Sequence, residues 1–104
     1  MHTVSRLEIM LDSVELNLIT AILNRTPNLT YTVIRNVTSH GVRGEETEGG
    51  ISLENDYIIA FCPTGRLKPL LESIRPILNK FGGACFVSEA TEIKSMRCIA
   101  AIGS

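Results

Sequence analysis

Residues 56–62 read Asp-Tyr-Ile-Ile-Ala-Phe-Cys, nearly all apolar after the first. A strand sends alternate side chains to opposite faces, so this run suits a central strand covered on both sides. Pro63 ends it. Residues 84–90 show the same habit, with Cys85, Phe86 and Val87 apolar at both parities. A sheet holding such strands needs a layer on each face. A chain of 104 residues makes one domain. A domain that small buries only about two-thirds of its unfolded surface. One face can be covered by the chain's own helices, and other copies of the chain would supply the second cover.

The remaining elements follow from period and punctuation. Residues 4–11 alternate, with Leu7, Ile9 and Leu11 on one side and Arg6, Glu8 and Met10 on the other, which predicts a half-buried strand. Asp12-Ser13-Val14-Glu15 has the form of a helix start, one carboxylate capping and another in the first turn. Val14, Leu18, Ile19, Ile22 and Leu23 recur at helical spacing, so a helix is predicted from Asp12 to about Asn24, stopped by Thr26-Pro27-Asn28. Residues 30–37 are rich in β-branched side chains and predict a second strand. Residues 40–54 hold four glycines and four glutamates and keep neither period. They predict a long, mobile loop, within a segment of about 38–55, and loops longer than about 12 residues are usually functional or disordered.

After Pro63, with Thr64 a candidate cap, the residues Leu67, Leu70, Leu71, Ile74, Ile77, Leu78 and Phe81 form the clearest helical stripe. Pro69 fits the first turn if the helix starts near Arg66, and Pro76 predicts a kink or break. Gly82-Gly83 closes the helix before the strand at 84–90. Residues 91–102 are ambiguous and allow a short extra strand. The order β-α-β, loop, β-α-β predicts an α+β, ferredoxin-like βαββαβ domain with an antiparallel sheet and two helices on one face.

Composition removes several function classes. A formal net charge of −1 gives no basic field for nucleic acid or anionic membrane. Three Phe, two Tyr and no Trp do not furnish the aromatic, basic sheet of an RNA-binding domain. No apolar run reaches the roughly 20 residues that span a bilayer. The first residues lack the form of a signal peptide, which makes the cytoplasm the expected location. The three cysteines, Cys62, Cys85 and Cys98, are odd in number and form no C-x-x-C pair. They read as reduced thiols in an apolar setting, and His2 and His40 complete no metal-ligand cluster. No Ser-His-Asp or Cys-His signature is present, so no catalytic residue is assigned and no enzyme is expected.

Two motifs carry a resemblance. Tyr31-Thr32-Val33-Ile34-Arg35-Asn36-Val37, followed by His40-Gly41-Val42-Arg43-Gly44, resembles the second strand and loop base of the PII signalling proteins. Phe81-Gly82-Gly83-Ala84-Cys85-Phe86-Val87-Ser88 resembles their glycine turn and following strand, and Arg97 falls where the family carries a basic residue. The resemblance covers residues 4–97. It implies a homotrimer with three clefts between subunits, each binding an adenine nucleotide: AMP, ADP, ATP or cyclic AMP. The long loop, the family's T-loop, would then dock on a membrane transporter or an enzyme. It implies Gly41 and Arg43 at the loop base, Gly82 and Gly83 cradling phosphates, and Arg97 reaching toward them. Glycine lets backbone N–H groups approach an anion, and arginine is a permanent planar donor suited to phosphate. Read alone, Gly82-Gly83 is equally a helix cap, and Arg43 and Arg97 are equally solvated surface charges.

Departures from the family pattern narrow the implication. Ala84 stands where a lysine is usual, the loop carries no tyrosine, and Ser95 replaces a second arginine. The chain is therefore more similar to the divergent PII-like branch, whose members answer to nucleotides or bicarbonate and are often linked to inorganic-carbon transport. The alternative is a CutA-like trimer associated with divalent metals, which shares the fold and needs converging His, Cys or carboxylate ligands.

Overall fold

Asp12 is where the first strand becomes the first helix. The computed structural model describes residues 1–40 and 52–94, with the backbone alone for 52–54. Strand β1 (His2–Asp12) ends there, and the Asp12 carboxylate accepts the Val14 N–H at 3.1 Å. This cap was legible, but the first turn is a short 3-10 segment, Ser13–Glu15, and helix α1 proper is Leu16–Arg25. Ile19 and Leu23 of the expected stripe are buried, whereas Val14 is 75% and Leu18 47% exposed. Tightening the first turn to three residues per turn rotates Val14 away from the core.

Strand β2 (Thr30–Ser39) and strand β3 (Ser52–Pro63) both reach further than the sequence predicts. They therefore take residues at each end from the expected loop segment of 38–55. Residues 41–51, and with them the expected mobility of the loop, lie outside the described residues. After a turn of 3-10 helix (Thr64–Arg66), helix α2 (Leu67–Phe81) leads to strand β4 (Ala84–Glu92). Pro63, not Thr64, occupies the cap position, and no side chain caps that end. Helix α2 runs unbroken through Pro76. The proline removes one backbone bond, and the packing of Ile74, Ile77 and Leu78 on the core holds the turns on either side. The possible extra strand at 91–102 resolves only at its start: Thr91 and Glu92 belong to β4, and residues 95–104 lie outside the described residues.

The four strands form one antiparallel sheet in the order β2-β3-β1-β4. This is the ferredoxin-like βαββαβ topology. Leu7, Ile9 and Leu11 of β1 and Ile58, Ala60 and Cys62 of β3 are fully buried under the two helices. Leu23, Leu70 and Ile74 complete that layer. Burying one such aliphatic side chain contributes about 1.5–3 kcal/mol.

The second sheet face carries the other parity. Ile59 and Phe61 are half-buried, while Ile34 is 45% and Phe86 56% exposed. Within this apolar face Glu8 accepts the Tyr57 hydroxyl, and Arg6 lies 3.5 Å from the same carboxylate. The Glu8 hydrogen bond raises the Tyr57 pKa above its ordinary value, and burial adds to the rise. No part of the described chain lies over this face as a second layer.

Candidate functional site

The end of helix α2 sets one pole of the molecule. Gly82 takes φ +88° and its N–H donates to the Leu78 carbonyl at 2.8 Å, closing the helix. Gly83 follows at φ +132°, and an added Cβ there would stand 2.7 Å from the Met10 carbonyl oxygen and 3.1 Å from Leu78 Cδ2. Both glycines are thus required by the backbone: the first turns the chain, and the second lets it pass close to β1. Ala84 then enters β4 opposite Met10.

The base of the β2–β3 ribbon lies at the same pole, on the other side of β1, because Asn55 pairs with Asp12. Here β2 loses its regular register between Ile34 and Val37, and Asn36 adopts φ +60°. The irregularity is held by Asp56, whose side chain is fully buried. Asp56 Oδ1 accepts the Asn36 N–H at 3.1 Å, and Arg35 Nε lies 3.5 Å from Oδ2. A buried carboxylate tied to a backbone donor and a guanidinium fixes the angle at which the ribbon leaves the sheet. Next to it Asn55 is also fully buried, its carboxamide without a hydrogen-bond partner among the described residues.

Of the residues singled out in the sequence, the structure places Gly82 and Gly83 at this pole. Gly41, Arg43 and Arg97 lie outside the described residues. Arg35, Asn36, Asn55 and Asp56 were missed. Their signal was present: an Arg-Asn pair interrupts the β-branched pattern of β2, and an Asn-Asp pair opens an otherwise apolar strand.

A groove between α2 and β4 opens beside the glycine turn. It is lined by Arg75, Asn79, Gly83, Ala84 and Val87 among others, with a volume of about 380 Å³. Cys85 lines it too, and burial pushes its thiol up to about 11, while the Cys62 thiol is also raised by burial. Both are therefore protonated near neutrality and poor nucleophiles. Among the described residues no group of three His, Cys, Asp or Glu side chains is placed to hold a metal ion, and no helix is long and apolar enough to cross a membrane.

No protein-family model and no curated protein matches the chain. Solved structures do. CPII from Thiomonas intermedia K12, bound to ADP, AMP and acetate, is 26% identical, with a TM-score of 0.77 over 89% of this chain and 91% of that one. The same protein, described as a nitrogen regulatory PII-like protein and bound to ADP, AMP and bicarbonate, is 26% identical with a TM-score of 0.71 over 86% and 93%. This chain has the PII-like fold. GlnK from B. subtilis, solved with ATP, shares that fold at 16% identity and a TM-score of 0.62, over 85% of this chain and 82% of its own.

Proposed function

We propose that this chain is a PII-like regulatory protein, not an enzyme, which binds an adenine nucleotide between subunits of a homotrimer. The observation that carries the reading is the likeness to CPII, a protein solved with ADP and AMP, across nine-tenths of both chains. The glycine turn at Gly82-Gly83 supports it by presenting backbone, with no side chains, at the pole where the ribbon base also lies. In this reading the phosphates sit near Gly82 and Gly83, with Arg43 and Gly41 at the loop base and Arg97 nearby. The ligand biases the loop, and the loop regulates a transporter or enzyme, possibilities that include inorganic-carbon uptake given CPII's bicarbonate complex. The protein acts in the cytoplasm.

Calorimetry with AMP, ADP, ATP and cyclic AMP tests the ligand. At least one nucleotide is expected to bind, with mono- or diphosphate binding at least as well as ATP because Ala84 supplies no charge. A charge-assisted hydrogen bond contributes about 1.5–3 kcal/mol, so Arg43→Ala or Arg97→Ala should weaken binding about ten- to hundredfold. A well-folded trimer that binds none of the four nucleotides would reject the reading.

The trimer is tested on the second sheet face. Phe86 projects from it opposite Glu8 and is 56% exposed in the single chain, so a charge there leaves the protomer intact. Light scattering is expected to give three chains per particle for the wild type and a monomer for Phe86→Asp. A wild-type monomer at micromolar concentration, or an undisturbed Phe86→Asp trimer, would show that this face is not the interface.

A further inference from the structure

The groove between α2 and β4 holds a cation, Arg75, that the reading above does not use. Arg75 lines it together with Asn79 from α2 and Gly83 and Ala84 from the turn into β4. The same two α2 side chains line a second groove of about 650 Å³ along the helix, bounded by Thr64, Leu67 and Pro76. Arg75 and Asn79 are the polar side chains shared by both grooves; Leu71, Leu78 and Val87 form apolar walls, and Lys68 and Glu72 line only the groove along the helix, away from the glycine turn.

Three facts bear on what this centre recognises. Arg75 has no carboxylate within ion-pair distance among the described residues. Helix spacing accounts for its place on α2, but not for a guanidinium beside a glycine turn that has no side chains of its own. The space a Gly83 Cβ would take is filled by the Met10 carbonyl oxygen and Leu78, so an anion meets the turn only from the groove that Gly83 and Ala84 line, where the Asn79 amide supplies a neutral donor one helical turn from Arg75. The groove is within the size range of small-molecule sites.

We propose that Arg75 is the cation that meets the phosphate group at the Gly82–Gly83 turn, with Asn79 as second donor. It takes over the charge that Ala84 does not provide. The ligand group is a phosphate monoester or diphosphate, whose oxygens match the planar fork of a guanidinium. The inference rests on the reading of this pole as a nucleotide site, but its anion chemistry can be tested apart from that reading.

Two experiments separate them. In the first, ADP and adenosine are titrated by calorimetry into wild type, Arg75→Ala and Lys80→Ala. Lys80 is a cation on the same helix that sits over the Phe81 ring and does not line the groove. Arg75→Ala should weaken ADP about tenfold or more and narrow the preference of ADP over adenosine, while Lys80→Ala behaves as wild type. In the second, pyrophosphate is titrated while the Gly83 and Ala84 amide resonances are followed. A saturable shift in wild type that vanishes in Arg75→Ala is expected. If ADP binds equally to wild type and Arg75→Ala, or if pyrophosphate leaves both amides unmoved, the assignment of Arg75 is wrong. If pyrophosphate binds through Arg75 but no nucleotide does, the anion site stands and the nucleotide reading falls.

Discussion

Gly83→Ala is expected to lower the thermal midpoint by roughly 10–20 °C, the shift that about 3 kcal/mol produces in a domain of this size. Two costs add. At φ +132° an L side chain is strained, and sparsely populated backbone conformations cost about 1–3 kcal/mol each. The new Cβ would also stand 2.7 Å from the Met10 carbonyl oxygen, which belongs to the interior strand β1. A flexible side-chain tip could swing away, but this oxygen can move only if the β1 backbone moves with it. Gly65 is the control: an added Cβ there meets nothing within 4 Å and its φ is not in the strained range. Gly65→Ala should be neutral or stabilising by about half a kcal/mol, through the unfolded chain. Equal midpoints for both variants at one protein concentration would mean that β4 approaches β1 less closely than described.

Asp56→Ala is expected to cost about 2–3 kcal/mol in denaturant unfolding. The partly buried Asn36 N–H would lose a charged acceptor at a position already held at φ +60°, and a hydrogen bond to a charged group contributes about 1.5–3 kcal/mol. The lost volume in the buried site adds a packing term. The ion pair adds little, because Arg35 is 61% exposed and water takes it back. Asp56→Asn keeps an acceptor for Asn36 and should lose about half as much. The site-specific reading is amide exchange at Asn36, which should speed up in Asp56→Ala far more than at Val33 in the regular part of β2. Unchanged exchange at Asn36 would show that something other than Asp56 holds the irregularity.

The fold was legible because its strongest signals are long and periodic. The stripe from Leu67 to Phe81 and the alternation at Leu7, Ile9 and Leu11 each specify an element and the face it buries. The two-sided apolar strands also announced an uncovered face, and Phe86 and Ile34 lie exposed on it. Finer features were hidden for physical reasons. Glu15 reads as a solvated residue in a first helical turn, yet it is fully buried, because the turn is 3-10 and its side chain points inward. The Asn36 irregularity depends on a hydrogen bond to Asp56, twenty residues away, which local pattern cannot show. Nothing in the sequence sets Arg75 apart from the other polar residues of the helix. Only the placement of β4 alongside α2 brings it to the glycine turn. In contrast, Gly82 and Gly83 were visible as a turn, but the reason Gly83 must be glycine is a contact with β1 some seventy residues earlier.

The sheet order has a consequence for synthesis of the chain. β1 is made first and lies in the interior, and both of its neighbours, β3 and β4, are made after it. Leu7, Ile9 and Leu11 therefore emerge from the ribosome long before any strand exists to pair with them. Their partner Ile58 arrives some fifty residues later, and Cys85 and Val87 close the other side only some eighty residues after β1. At about 5–20 residues per second the most apolar face of β1 waits several seconds without its sheet. Non-local pairing of this kind is slow to form and leaves the nascent chain open to association with other chains. Protein yield on overexpression should therefore depend on chaperone supply and growth temperature more steeply than the stability of the finished domain alone would suggest.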